Sequence, residues 1–67
     1  MNTYEVTSFV SGRVVEVSAR HLRSAVKKAH RVITGKSGKS VTWHGVHAEV
    51  DGCGRYSRPV LTWTANK

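Results

Sequence analysis

The residues of this chain best suited to chemistry are basic, and many of them recur at helical spacing in the segment 18–34. At about 100° per residue, the polar side of this segment carries Arg20, Arg23, Lys27, Lys28 and Arg31. No Asp or Glu occurs at positions 17–48. The pairs Arg23–Lys27 and Lys27–Arg31 place like charges four residues apart, which costs an isolated helix about 0.2–0.5 kcal/mol per pair. The pattern favours a face kept positive for an anionic partner over a chance excess of base on a solvated helix.

Two loops extend this basic set. Residues 35–40 read Gly-Lys-Ser-Gly-Lys-Ser, and residues 54–59 read Gly-Arg-Tyr-Ser-Arg-Pro. An aromatic residue between two arginines suits stacking on a nucleobase with phosphate contact, and it equally suits an exposed loop with one aromatic anchor. We predict ten nucleic-acid-binding residues: Arg20, Arg23, Lys27, Lys28, Arg31, Lys36, Lys39, Arg55, Tyr56 and Arg58.

Other kinds of site fit the sequence poorly. Gly-Lys-Ser at the end of the first loop resembles part of a phosphate-binding P-loop, but that motif has four residues between its glycines and leads from a strand into a helix. Here two residues separate Gly35 from Gly38, and a helix precedes them. His44 and His47 fall on opposite faces of a regular strand, although a bulge at Gly45 could alter this. Only Cys53 lies near them, whereas structural zinc takes four ligands. We predict no metal, no cofactor and no catalytic residue, and therefore no enzyme, because no base is placed by sequence to activate Cys53.

Composition restricts the class of protein and of partner. The chain has 67 residues, with eleven Lys and Arg against four Asp and Glu, a net charge of +7 and a pI of about 10.4. We predict a single domain over residues 1–67, marginally stable because so short a chain buries only about 60% of its unfolded surface. The charge favours nucleic acid first, an acidic protein second and an anionic membrane third. With no apolar run of roughly 20 residues, no signal-peptide pattern and one cysteine, we expect a cytoplasmic protein, of a size typical of accessory proteins of bacteria or their viruses.

One amphipathic helix is predicted over residues 18–34. Its apolar stripe comprises Ala19, Leu22, Ala25, Val26, Ala29, Val32 and Ile33. Such a stripe must be buried against another element. Ser18 suits the N-cap because its hydroxyl can accept a backbone N–H of the first turn, and Gly35 suits the position after the helix because it can turn left-handed.

Besides the last strand, three strands are predicted, two before this helix and one after it. Residues 3–10 and 13–17 read as a hairpin with a Ser-Gly turn. Residues 41–50 read as a third strand whose apolar alternation reverses at Gly45. We interpret that reversal as a β-bulge, which would bring both halves onto one face, rather than as two separate strands.

The last strand is predicted over residues 60–65, with the preceding Gly-Arg-Tyr-Ser-Arg-Pro segment as a loop or as the start of that strand. Leu61, Trp63 and Ala65 share one side of it. We expect Trp63 to lie under the helix, and Trp43 to be either a core or a surface residue.

These elements predict an α+β fold of order ββαββ, a four-stranded sheet with one helix packed on one face. The order resembles the β-grasp architecture of ubiquitin and of the immunoglobulin-binding domains of protein G. That resemblance implies that the first and last strands are parallel neighbours at the centre of the sheet. It concerns element order alone, so no binding residue is carried over. A ferredoxin-like half and a meander with a helix remain alternatives.

The function favoured by the sequence is binding of DNA or RNA by a small basic protein, mainly through phosphate contacts on the outer face of the helix. The alternative is a small protein-binding adaptor or inhibitor that docks its basic face or a strand edge on an acidic partner. A strand edge would also allow pairing with a second copy of the chain. A membrane-surface helix is disfavoured because the apolar stripe is mostly Ala and Val, without aromatic anchors.

Overall fold

The computed structural model describes residues 1–52 and 54–64. Along these residues the elements are β1 (Asn2–Thr7), β2 (Val14–Ala19), α1 (Leu22–Thr34), β3 (Val41–His44), β4 (His47–Val50), β5 (Gly54–Ser57) and β6 (Val60–Thr64). The strands form two antiparallel sheets, a first sheet of order β2-β1-β6 and a second sheet of order β3-β4-β5. The predicted α+β class is confirmed, whereas the four-stranded sheet and the ββαββ order do not match the structure.

The predicted first hairpin is present, with shifted ends. β1 and β2 pair antiparallel from Asn2 opposite Ala19 to Thr7 opposite Val14. β1 stops at Thr7 because the following residues fold into the turn, where Val10 is 74% exposed. The hairpin therefore buries alternate residues, Tyr4 and Val6 of β1 and Val17 and Ala19 of β2, and leaves its tip in solvent.

The helix begins later than predicted and ends where predicted. Ser18, the expected N-cap, belongs to β2. His21 takes the N-cap position with an extended backbone, and its side chain makes no capping hydrogen bond. At the other end Gly35 has φ 78°, and its N–H donates to the Arg31 carbonyl over 2.8 Å. The left-handed ending of α1 is thus confirmed.

The buried side of α1 follows the predicted apolar stripe, except that His30 is buried in place of Val32. Ala25, Val26 and Ala29 are fully buried, whereas Val32 is 56% exposed and His30 is buried. α1 packs on β1 and β2 of the first sheet and on β3 and β4 of the second. Because the helix contacts two sheets, its enclosed side is wide enough to include a polar residue. Among the helices of the described part of the chain, none is long and apolar enough to cross a membrane.

The predicted third strand is instead a hairpin of β3 and β4, so the predicted β-bulge is wrong. Gly45 has φ 66° and lies in the turn between these strands. In the observed register Val41 lies opposite Val50, and Trp43 lies opposite Ala48. Opposed residues of an antiparallel pair share a face of the sheet. The reversal of alternation at Gly45 therefore marks a reversal of chain direction.

The predicted last strand is present as β6, and the segment before it, which was predicted as a loop or as the start of that strand, forms a separate strand, β5. β5 pairs with β4, and β6 pairs antiparallel with β1. A bridge between Ser8 and Tyr56 connects the two sheets. The first and last strands are therefore neighbours, but they are antiparallel, unlike the parallel pair that the β-grasp resemblance implied.

The expectation that Trp63 lies under the helix is wrong. Trp63 lies opposite Thr3 and is 60% exposed, and Leu61 is 51% exposed. Tyr4, the neighbour of Thr3, is buried towards the core, so Thr3 and Trp63 belong to the face of the first sheet that points away from it. Ala65, the third residue of the predicted apolar side, lies outside the described residues.

Candidate nucleic-acid interface

Three of the predicted cations form a row along α1. Arg23, Lys27 and Arg31 are four residues apart, which corresponds to about 6 Å of helix rise per step. Arg23 and Arg31 are exposed and Lys27 is half-buried. We call these three residues the basic row. Each end of the basic row opens into a cleft with residues from outside the helix, so the row lies on the side of α1 that faces β3 and the loop after the helix.

The N-terminal end of the basic row opens into a cleft of about 400 Å³, which we call the aromatic cleft. It is lined by His21, Leu22, Arg23, Trp43 and Arg58. The Cζ atom of Arg58 lies 5.9 Å from the centroid of the Trp43 ring, a cation–π distance. Trp43 is half-buried and packs in part against the core. One predicted cation, Arg58, is therefore joined to the basic row through an indole ring.

The C-terminal end of the basic row opens into a smaller cleft of about 220 Å³, lined by Lys27, Lys28, Arg31, Ser37 and Gly38. A neighbouring cleft of about 390 Å³ brings Lys36 beside His30, Thr34, Ser37 and Asp51. The loop after the helix thus adds one cation, Lys36, to this end of the row, although an acid accompanies it.

The amides of that loop are already bonded to an acid of the protein itself. The backbone N–H of Ser40 donates to the Asp51 carboxylate over 2.9 Å, and the N–H of Lys39 donates over 3.1 Å. These amide bonds, with that of Ser40 first, lower the pKa of the Asp51 carboxyl. The two N–H groups are therefore not available to phosphate, and Lys39 could contribute only its exposed side chain.

Arg55 does not belong with the basic row. It lies opposite Glu49 in the register of β4 and β5, while the adjacent Tyr56 lies opposite buried Ala48. Arg55 therefore projects from the outer face of the second sheet. There its Nε lies 3.4 Å from a Glu49 carboxylate oxygen, and His44 lies 3.3 Å from the other oxygen.

Tyr56 is a core residue and is not exposed for stacking on a base. It is 1% exposed, and its hydroxyl shares a 2.6 Å hydrogen bond with Nδ1 of buried His30. Burial raises the pKa of the Tyr56 phenol. The aromatic residue that does lie beside exposed arginines is Trp43, which the sequence left open between core and surface. Recognition of the β3–β4 hairpin would have placed it at the edge of the core.

The other two predicted cations, Arg20 and Lys28, lie close to β2, and Lys28 also lines the smaller cleft. The Lys28 ammonium donates to the carbonyl of Ser18 at the end of β2, which holds its charge on that side. Arg20 is exposed between β2 and α1. They broaden the positive surface without joining the aromatic cleft.

None of the four acidic side chains of the chain faces the basic row. Glu5 and Glu16 are exposed and lie directly opposite each other on the outer face of the first sheet. Glu49 is on the outer face of the second sheet, and Asp51 binds the loop amides. Charge is thus segregated, with cations along the helix and three of four acids on the outer faces of the sheets.

The structure brings together two histidines that the sequence had separated. Because they lie opposite each other across the β3–β4 turn, His44 and His47 stack with ring centroids 5.2 Å apart. A regular strand would have placed them on opposite faces, and the turn at Gly45 brings them onto the same face. Within residues 1–52 and 54–64, no group of three or more His, Cys, Asp or Glu side chains could hold a metal ion. Cys53 lies outside the described residues.

Comparison of the chain with protein-family models, with curated proteins and with solved structures returns no match.

Proposed function

We propose that this protein binds nucleic acid, mainly through contacts between the basic row and backbone phosphates. The observation that carries the proposal is the line of Arg23, Lys27 and Arg31, which no carboxylate of the described residues faces. The line extends through Arg58 at one end and through Lys36, which Asp51 accompanies, at the other. The row spans about 12 Å of helix. A ligand with negative charges repeated along its length fits such a line better than a single carboxylate does.

The energy of this contact would come mostly from counterion release. Each cation that neutralises a phosphate releases condensed salt ions, so affinity falls steeply as salt rises. Phosphate contacts position the ligand but carry no direct base information. The proposal therefore predicts binding with little sequence preference along the row itself.

The test compares two double variants that lose the same charge at different places. Arg23→Gln with Arg31→Gln removes both ends of the basic row, whereas Arg13→Gln with Arg55→Gln removes arginines from the first hairpin turn and the outer face of the second sheet. Binding of labelled oligonucleotides is measured by fluorescence anisotropy between about 50 and 200 mM salt. The row variant should reduce the slope of log affinity against log salt by about 1.4 for a single strand, from about 0.7 per lost phosphate contact.

The control variant should keep a slope close to that of the wild type. Equal losses in the two double variants would show that net charge, and not the basic row, determines binding. Absence of binding by the wild type at about 50 mM salt would refute the proposed function.

A protein-binding role is the second candidate, and β6 is the observation that favours it. β6 is an edge strand of the first sheet, and all five of its residues are exposed, including Val60, Leu61 and Trp63. It contains no charged side chain. An exposed, uncharged and apolar edge is suited to pairing with a strand of a partner or of a second copy.

Leu61→Lys tests this second candidate, because a charge on an edge strand opposes added pairing. If β6 is an interface, a stoichiometric partner from nuclease-treated extract, or a dimer seen by sedimentation equilibrium, should be lost in Leu61→Lys and kept in the row variant. A partner that survives Leu61→Lys and is lost in the row variant would exclude the β6 edge.

A further inference from the structure

The geometry points to a nucleobase-stacking site in the aromatic cleft, which makes a single strand the preferred ligand of the basic face. This inference rests on the proposed function, and it adds to that function the class of nucleic acid and the residue that contacts a base.

The dimensions of the cleft suit one base. Its volume of about 400 Å³ falls in the range of ligand pockets, roughly 300–1,000 Å³. One part of the Trp43 indole packs against the core and fixes the ring, while the remainder lines the cleft. A ring held in place by the core is a good stacking surface because it loses little conformational freedom when a base binds.

Arg58 supplies a second layer that can accommodate the base. Its guanidinium is 5.9 Å from the Trp43 centroid, whereas a base inserted between two planes needs about 7 Å, two stacking layers of about 3.4 Å each. Arg58 is exposed, so a shift of about one ångström is open to its side chain. Guanidinium planes stack on unpaired bases as aromatic rings do, so Arg58 and Trp43 would enclose the base from both sides.

The phosphates next to such a base meet positive groups. Arg23 lines the same cleft and begins the basic row. The first turn of α1 contains no acid, and the His21 side chain at the N-cap makes no capping hydrogen bond, so the N–H groups of this turn add to the positive potential there. From the cleft the strand would continue along Lys27 and Arg31. A base paired in a duplex has both faces covered by its neighbours, so only an unpaired base could enter.

The second tryptophan provides a matched control within the chain. Trp63 is more exposed than Trp43, but it lies on the outer face of the first sheet opposite Thr3. Two positions further along β1 on that face is Glu5, which lies opposite Glu16. Phosphate would meet carboxylates there instead of arginines. Exposure alone therefore favours Trp63, whereas the charge and shape of the surroundings favour Trp43.

The experiment varies the base while the phosphates stay the same. Anisotropy at about 50 mM salt compares a thymidine oligomer of about 12 nucleotides with an abasic deoxyribose-phosphate oligomer of equal length, for wild type, Trp43→Leu and Trp63→Leu. Stacking of a base on an aromatic side chain accounts for about a 5- to 150-fold difference in affinity. The wild type and Trp63→Leu should show this preference for the thymidine oligomer, and Trp43→Leu should bind both oligomers about equally.

Circular dichroism of Trp43→Leu serves as the control for folding, because an unfolded chain of net charge +7 would still bind phosphates and would show no base preference either. If Trp43→Leu is unfolded, Arg58→Gln replaces it, since Arg58 is exposed, and its base preference should fall in the same way. A wild type that binds both oligomers equally, or a preference that survives in Trp43→Leu, would refute the stacking site and leave phosphate binding in place. Failure to bind either oligomer would refute the proposed function and the stacking site together.

Discussion

The hydrogen bond between His30 and Tyr56 should be one of the most sensitive points of this fold, and Tyr56→Phe tests it. The bond is 2.6 Å long, its residues are 7% and 1% exposed, and the two rings meet edge-to-face with centroids 5.7 Å apart. It joins α1 to β5, and β5 in turn bridges to the first sheet. Phe keeps the ring packing and removes only the hydroxyl, so a buried nitrogen of His30 loses its partner.

The expected loss follows from that burial. Leaving a buried polar group unsatisfied costs about 1–3 kcal/mol, and a chain of this length has a free energy of unfolding of about 3–10 kcal/mol. Each kcal/mol should lower the melting temperature by about 4–8 °C. Thermal unfolding followed by circular dichroism would therefore show a drop of several degrees or more for Tyr56→Phe.

Two comparisons make this prediction refutable. Tyr4→Phe removes a hydroxyl that accepts a partly buried hydrogen bond from the Asn2 amide, two residues away, so it should cost about 0.5 kcal/mol. The double variant His30→Leu with Tyr56→Phe removes both polar partners and should be more stable than Tyr56→Phe alone. If Tyr56→Phe costs no more than Tyr4→Phe, the buried hydrogen bond does not stabilise the fold as argued.

The same tyrosine predicts a dependence on alkaline pH. Burial raises the pKa of Tyr56 above its ordinary value of 10.0. The core holds the phenol in its neutral form. The contribution of this phenol to the free energy of unfolding is therefore complete below about pH 10, and it is lost as pH rises through the folded-state pKa. Tyr56→Phe should lack this alkaline loss.

Three further predictions test other parts of the structure. The pKa of Asp51 is lowered by amide hydrogen bonds. The ionised carboxylate therefore stabilises the fold above about pH 4, and this stabilisation is lost as pH falls through the folded-state pKa. The wild type and Asp51→Asn should differ in melting temperature at pH 7, and the difference should vanish near pH 2. A Cβ at Gly54 would lie 2.9 Å from Cε2 of the buried Tyr56 ring, so Gly54→Ala should cost about 1–3 kcal/mol in urea unfolding, and unchanged stability would contradict the packing. A Trp43→Phe variant retains Trp63 as its one tryptophan, and acrylamide should quench it almost as freely as indole in water, since it is 60% exposed; a shielded emission would contradict the position of β6.

The parts of the fold that the sequence predicts are those determined by neighbours along the chain. The first hairpin depends on a turn between two short β-branched runs, and α1 depends on residues spaced three and four apart, such as Leu22, Ala25 and Val26. The left-handed residue Gly35 is likewise a local signal. These interactions form within about a dozen residues, so their pattern is visible without knowledge of the rest of the fold.

The error at Gly45 arose because two structures produce the same pattern. A bulge and a tight hairpin turn both bring Val41 and Trp43 onto the face of Ala48 and Val50. In a bulged strand the residues after Gly45 continue in the same direction, whereas in a hairpin they run back alongside the residues before it. The pattern does contain one distinguishing residue, Val46, which is 80% exposed at the turn. A bulged strand would have grouped this valine with the core, and a hairpin leaves it at the tip.

The candidate site depends on strand register, which is why its cations were predicted better than its aromatic residue. Arg23, Lys27 and Arg31 share a helix side whatever the helix packs against, so their spacing is sufficient. For the two tryptophans, however, the decisive fact is which strand each residue faces. Trp43 pairs with buried Ala48 and so is held at the margin between core and solvent, whereas Trp63 lies on an edge strand beyond the reach of that core. A stacking surface must be anchored by the core and also be exposed to solvent. Trp43 meets both conditions because of the pairing of β3 with β4, and the residues next to it in the sequence do not reveal that pairing.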